Sequence, residues 1–226
     1  MSKRCYIAGA GEFDERVMPG AGDYIIAADG GFVSLTFRRT FPDLLVGDFD
    51  SIRQDYLPEY IETMTAESKV IRTPTEKDDT DMMLAVKQGL ERGYKEFIIN
   101  GGLGGRLDHT LANIQTLVYL TQQGAAGLLV GREVFITAVK NNAVKLVPNE
   151  AGNSTVSIFC AGDKAEGITL TGLKYPLDNA TITSDNPIGI SNETIGKPAS
   201  ISVTNGTLIV MYDGGHVYAK HKRRDI

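Results

Sequence analysis

The chain has 226 residues, long enough to bury a substantial core as one large domain or two small ones. Its 23 lysines and arginines against 28 aspartates and glutamates give a formal net charge of −5, which argues against general nucleic-acid binding but not against a nucleotide held through a metal ion. Cys5 and Cys160 are the only cysteines and stand far apart, so neither a disulfide framework nor a cysteine zinc site is expected. No run approaches the ~18 apolar residues a membrane helix needs, and no apolar segment follows Met1-Ser-Lys-Arg4, so the expectation is a cytoplasmic chain with no membrane partner.

In chain order, Arg4–Ala8 reads as a short strand ending in Gly9-Ala-Gly11. That loop lacks the third glycine of a dinucleotide fingerprint, with Asp14 in its place, and is a weak basis for an NAD site. Tyr24–Ala28 is a second strand, ending at Asp29-Gly30-Gly31, with a helix expected over about 32–39. Leu44–Val46 is a third, ending at Gly47-Asp48-Phe49-Asp50-Ser51, and a loop with a short helix follows over 54–66. Lys69–Arg72 is a fourth, ending at Thr73-Pro74 before the acidic run Lys77-Asp-Asp-Thr-Asp81. Met82, Val86 and Leu90 recur every four residues, so 80–92 is a helix that Gly93 can close. Phe97–Asn100 is a fifth strand, its continuous apolar run suited to burial on both faces. Gly101-Gly-Leu-Gly-Gly-Arg106-Leu-Asp108-His109 then opens a helix in which Leu107, Leu111, Ile114 and Val118 follow helical spacing up to Gly124. Short apolar strands alternating with helical segments predict an α/β unit with a mainly parallel sheet.

The pattern changes after about residue 125. Leu128–Val130, Val134–Val139, Val144–Val147, Thr155–Phe159, Ile168–Leu170, Ala180–Thr183, Ala199–Val203 and Thr207–Met211 are short β runs with no helical period between them. Asn141-Asn142, Gly162-Asp163 and Asn205-Gly206 supply turns. The fold class is therefore α/β plus all-β: an α/β domain over 1–130 and an antiparallel sandwich or roll over 131–226.

In open parallel sheets ligands bind at the carboxyl ends of the strands, which places Asp29, Asp48, Asp50, Asp78 and the 101–105 glycines along one edge. A strand, a glycine-rich loop and a helix N-terminus make an anion cradle, because bare backbone N–H groups point at whatever sits there. Arg106 adds a planar cation suited to phosphate. Asp48 and Asp50 are two apart, so an extended backbone puts both carboxylates on one face. Asp78 and Asp81 are three apart, which does the same in an opening helical turn. Gathered carboxylates repel unless a cation sits among them, and hard oxygen donors suit Mg²⁺. Taken singly, Asp48 is also explained as a turn residue and Asp78 or Asp79 as a helix N-cap. The histidines lack zinc-ligand spacing, His109 being a site contact or a surface residue, and no Gly-x-Ser-x-Gly elbow or Walker pattern exists.

Four motifs in order carry a family resemblance: Ala28-Asp-Gly-Gly31, Gly47-Asp-Phe-Asp-Ser51, Lys77-Asp-Asp-Thr-Asp81 and Gly101–His109. With Gly172-Leu-Lys-Tyr-Pro-Leu177 and Gly189-Ile-Ser-Asn192 they make the chain closely resemble thiamine pyrophosphokinases over nearly its whole length. The resemblance implies transfer of the diphosphate of ATP to the hydroxyl of thiamine, giving thiamine diphosphate and AMP. It implies a homodimer with active sites at the subunit interface. By motif position, Asp29, Asp48, Asp50 and Asp78 look like the Mg²⁺ cluster. Asp81, Asn100, Gly101, Gly102, Gly104, Gly105, Arg106 and Asp108 look like the ATP site, with Gly30, Gly31 and Thr80 in the same motifs. Ser191 and Asn192 look like part of the thiamine pocket, and Tyr175 stands in for a ring-stacking Trp, a residue this chain lacks. Two other functions remain open from the residues: a metal-dependent sugar-nucleotide transferase built on Asp48 and Asp50, and a non-catalytic nucleotide or thiamine sensor.

Overall fold

The computed structural model describes residues 3–49, 58–67, 69–73, 78–146 and 154–213, in two compact units. The first takes the described residues of Met1–Thr116 together with Gly127–Arg132. Its strands are β1 (Cys5–Ala8), β2 (Tyr24–Ala28), β3 (Leu44–Gly47), β4 (Val70–Arg72), β5 (Glu96–Asn100) and β6 (Ala126–Val130). Its helices are α1 (Gly31–Thr36), α2 (Pro58–Ala66), α3 (Asp81–Glu91) and the start of α4 (Leu107–Gln122). Within this unit the strand order is β6-β5-β1-β2-β3-β4, and β5, β1, β2, β3 and β4 pair in parallel. Parallel strands with a helix on each face bury both sides, and all four residues of β1 are buried.

Alternate residues serve the two faces. Tyr6, Ala8, Ala27 and Leu45 point to one side, where Phe13, Phe32, Leu35 and Met64 join them in a single cluster. On the other side α3 lies very close, because a Cβ on Gly89 would come within 2.5 Å of Phe97 and 2.9 Å of Cys5 Sγ. The register aligns Ala8 with Ala27 and with Asn100, and Ala28 with Val46. Parallel strands in this register deliver Gly9, Asp29, Asp48 and Gly101 to one edge. From β1 the chain steps outward through β2, β3 and β4, then returns to the far side of β1 as β5. The reversal therefore falls between β1 and β5.

Two helices differ from the sequence pattern. The helix expected over about 32–39 ends at Thr36, since Arg39 turns left-handed (φ 54°) and Pro42 follows three residues on. In α4 the buried stripe begins at Ile114 and continues through Leu117 and Leu120, whereas Leu107 and Leu111 are 81% and 57% exposed. Among the described residues no helix is long and apolar enough to cross a membrane.

The second unit takes Leu117–Ala126 and the described residues of Glu133–Ile226, so the last turns of α4 group with it. Its strands are β7 (Val134–Lys140), β8 (Ala143–Leu146), β9 (Thr155–Cys160), β10 (Lys164–Thr171), β11 (Leu177–Thr183), β12 (Asn192–Glu193), β13 (Ala199–Ser202) and β14 (Thr207–Asp213). They form two antiparallel arrays, β12-β9-β14-β7 and β11-β10-β13-β8. The arrays meet at Gly189, where a Cβ would lie 2.7 Å from Ile158 of β9 and 3.7 Å from Ile182 of β11. The antiparallel C-terminal half expected from the turn spacing is present. Its strands run longer than the apolar runs suggested: β10 starts at Lys164 and passes through Gly167 in a left-handed conformation (φ 66°).

Candidate functional site

The first unit contains a cavity of about 520 Å³, a volume suited to a small ligand. It opens where the strand order reverses, between the loops that follow β1 and β5, which is the place a doubly wound sheet offers a ligand. Two glycine loops line it, Gly9-Ala10-Gly11 and Gly101–Gly105. They are zipped together by backbone: Gly9 N–H donates to Asn100 O (2.7 Å), Gly11 N–H to Gly101 O (2.8 Å) and Glu12 N–H to Leu103 O (2.7 Å). The approach is too close for side chains. A Cβ on Gly9 would sit 2.4 Å from Gly101 O, and one on Gly101 would sit 2.4 Å from Gly9 O. Gly9-Ala-Gly11, which reads from sequence as a poor dinucleotide fingerprint, is thus the partner of the second loop.

The acids come mainly from the start of α3. Thr80 caps that helix, its Oγ1 accepting from Met83 N–H at 3.2 Å, so the cap is neither Asp78 nor Asp79. Asp78, Asp79, Thr80 and Asp81 all line the cavity, as does Asp29 at the end of β2. Asp79 pairs with Lys87, and Asp81 accepts from Thr73 Oγ1 at 3.3 Å. Arg106 lines the cavity with Gly104 and Gly105 and makes a bidentate pair with Asp108, at 3.1 Å from Nε and 2.6 Å from Nη2. That pair lowers the Asp108 carboxyl below its ordinary range and raises Arg106 further. His109, Ala112 and Asn113 complete the wall, and Asn113 Nδ2 donates to Gly102 O at 2.7 Å. These residues, with Gly9 to Gly11, are the part of the wall that spacing alone left open or missed.

Other expected residues sit elsewhere. Asp48 follows β3 outside the cavity wall, and Asp50 lies outside the described residues, as does Lys77. Phe49, directly after Asp48, is left-handed (φ 61°), so the chain is not extended at that residue. Among the described residues no three acidic, histidine or cysteine side chains are gathered closely enough to hold a metal ion by themselves. Gly30 and Gly31 also lie outside the wall: Gly30 precedes α1, and a Cβ on Gly31 would meet Ala8 O at 2.0 Å, so Gly31 serves close packing of α1 on β1. Asn100 is fully buried and its amide is committed to the 14–17 segment.

In the second unit Tyr175 is 57% exposed, with Lys174 Nζ 5.4 Å from its ring centre. Ser191 is exposed and left-handed (φ 55°), and its N–H donates to Ser157 Oγ. Asn192 is only 3% exposed. Its side chain accepts from the N–H groups of Tyr175 (3.0 Å) and Glu193 (2.9 Å) and donates to Tyr175 O (2.6 Å). Asn192 therefore holds the backbone that presents Tyr175.

Residues 20–127 match the family model of the thiamin pyrophosphokinase catalytic domain, and residues 143–208 that of the thiamin pyrophosphokinase vitamin B1 binding domain. Thiamine pyrophosphokinase of Bacillus subtilis is 32% identical over 186 residues, covering 82% of this chain and 85% of that protein. Thiamin pyrophosphokinase 1 of Caenorhabditis elegans is 28% identical over 180 residues, covering 75% and 71%. The crystal structure of the Bacillus subtilis enzyme superposes with a TM-score of 0.79 at 29% identity, over 95% of this chain and 100% of that one. A family protein from Enterococcus faecalis gives 0.76 at 28%, over 95% and 100%.

Proposed function

The chain belongs to the thiamine pyrophosphokinase family, and from that premise we propose that its cavity binds ATP for transfer of a diphosphate to thiamine. The thiamine hydroxyl oxygen attacks the β-phosphorus of ATP and the bond from that phosphorus to the α,β-bridging oxygen breaks. AMP leaves with that oxygen, thiamine diphosphate forms, and the hydroxyl proton passes to a base, one of the aspartates. The observation that carries this reading is the facing of a glycine cradle and an acidic helix start across one cavity at the sheet's reversal point.

Such a transfer asks for alignment and charge neutralisation more than for covalent chemistry. Backbone N–H groups of the 101–105 loop and the start of α4 are suited to phosphate oxygens, and Arg106 would offset charge on the departing AMP. Triphosphate beside Asp29, Asp78 and Asp81 requires a cation between them. The donor set is carboxylate oxygen, which fits Mg²⁺. Asp29 and Asp78 would hold the ion, with Asp48 and Asp50 as further candidates, and substrate oxygens and water would complete its shell. When bound, Mg²⁺ supplies charge neutralisation of the phosphates.

The second unit, with Tyr175 on its surface and Ser191 beside the Asn192 clamp, would take the thiamine rings. A homodimer with sites at the subunit interface is supported by the exposed Leu107 and Leu111, one turn apart at the start of α4. The acidic composition and paucity of cysteine support a cytoplasmic setting. The test is product analysis with ATP, Mg²⁺ and thiamine. AMP and thiamine diphosphate should appear in equal amounts and stop with EDTA; ADP as the nucleotide product would overturn the reading.

A further inference from the structure

We infer that Asn100, Asp14 and Tyr6 are positioning residues for the glycine cradle, acting through the backbone without touching the nucleotide; the inference rests on the ATP reading of the cavity. Asn100 is the last residue of β5, directly before Gly101, and is fully buried. Its Nδ2 donates to Tyr6 Oη (2.9 Å), Asp14 O (2.8 Å) and Val17 O (3.0 Å), and its Oδ1 accepts from Asp14 N–H (2.9 Å). Both polar groups of Asp14's backbone are thereby clasped by one amide. Tyr6 Oη in turn donates to Val17 O at 2.9 Å.

Asp14 fastens the same segment from its other side. Its carboxylate, 3% exposed as a residue, accepts from Arg16 N–H (3.0 Å), Nε (2.8 Å) and Nη2 (2.8 Å), and Arg16 Nη2 also donates to Arg132 O. A buried carboxylate is tolerated only when so fully paired. The segment from Gly9 to Val17 is thus a brace. Its first part zips onto Gly101 and Leu103, and its second part is locked to Asn100. The cradle it supports is mostly glycine, tethered from α4 by Asn113 Nδ2 to Gly102 O. Gly101, Gly104 and Gly105 are left-handed (φ 76°, 81° and 66°), and nothing lies within 4 Å of a Cβ built on Gly105. Aim of the loop N–H groups at a phosphate therefore depends on the brace.

The test uses the full chain with Tyr6→Phe, Asp14→Asn and Asn100→Asp. Melting is recorded first, and kcat and both KM values are then measured well below each melting point. Misplacement of donors by a fraction of an ångström costs turnover, so Asp14→Asn should lose about ten- to a hundredfold in kcat and Tyr6→Phe roughly three- to tenfold. The KM for thiamine should stay within twofold in both. A residue that only stabilises the fold would lower the melting point and leave kcat of the folded protein intact. Tyr6→Phe and Asp14→Asn both folded with kcat within twofold of the parent would overturn the inference, as would a defect confined to thiamine KM. Asn100→Asp replaces a donor by an acceptor facing two carbonyls; if it fails to fold, the other two variants decide. A parent protein that makes no AMP refutes the ATP reading instead, so the two failures are distinguishable.

Discussion

Gly101→Ala is the substitution that the two-loop zipper resists most clearly. Two costs add at this position. A left-handed φ of 76° costs an L-residue ~1–2 kcal/mol. The new Cβ would also lie 2.4 Å from Gly9 O and 2.9 Å from Gly9 C, both backbone atoms with no rotamer to escape into. Relief requires the loops to part, which stretches the Gly9 N–H to Asn100 O and Gly11 N–H to Gly101 O bonds, at about 1 kcal/mol or more each. The total is ~3–5 kcal/mol, or a fall in Tm of roughly 6–20 °C for a chain of this size. Gly105→Ala isolates the first cost, since Gly105 has φ 66° and open space around its Cα; it should lose ~1–2 kcal/mol. Gly93→Ala, at the end of α3 with φ 84° and equally open surroundings, should show the same loss of stability with turnover unchanged. Thermal melts and AMP production measured on the three variants together provide the assay. Equal Tm and turnover for Gly101→Ala and Gly105→Ala would refute the claim that contact between the loops, beyond φ, fixes glycine at 101.

Arg106→Ala should lower kcat by roughly ten- to a thousandfold at saturating thiamine, as loss of a preorganised charge donor does, while Tm barely moves because the side chain is 73% exposed; an unchanged kcat would remove Arg106 from the mechanism. Asn192→Ala strands the backbone N–H of Tyr175 and Glu193 and the carbonyl of Tyr175, costing ~2–4 kcal/mol. It should raise the KM for thiamine with that for ATP unchanged, and a change confined to ATP would reverse the division between the units. Burial pushes the Cys5 thiol from 9.0 up to about 12. The unfolded chain therefore releases that proton first, so this contribution is whole below pH 9 and is lost as pH rises toward 12, by up to ~1.4 kcal/mol per pH unit. In urea melts the stability gap between the parent and Cys5→Ala should narrow from pH 8 to 10.5; a constant gap would show that the thiol titrates alike in both states.

Local periodicity carried the elements whose partners are local. Met82, Val86 and Leu90 located α3 to within a residue or so, although its cap is Thr80 where the acidic run offered Asp78 or Asp79. The inner parallel strands such as β1 and β3 were legible because burial on both faces demands unbroken apolar runs. What was illegible depends on contacts distant in sequence or on single dihedral angles. Nothing near Gly9 announces that its partner is Gly101, and Asn100 reads as a polar residue at a strand end until Asp14 and Val17 are seen to fold over it. The extended backbone expected through Asp48, Phe49 and Asp50 is interrupted at Phe49, whose φ is left-handed. In α4 the apolar period of Leu107 and Leu111 is genuine, but helical spacing cannot say where along a helix burial begins.

The order in which the two units claim the chain constrains how the protein can be dissected. Residues up to Thr116 belong to one, the next ten to the other, and Gly127–Arg132 return to the first before the second resumes at Glu133. A fragment stopping at Thr116 would lack β6 and leave β5 with a bare row of backbone donors and acceptors, an invitation to pair with another molecule. A fragment stopping at Arg132 would keep β6 but carry Leu117 and Leu120, both fully buried in the intact chain, without the rest of the unit they group with. No single cut separates the halves cleanly. Exchanging C-terminal segments between relatives therefore calls for two junctions, one on each side of β6, moved as a matched set.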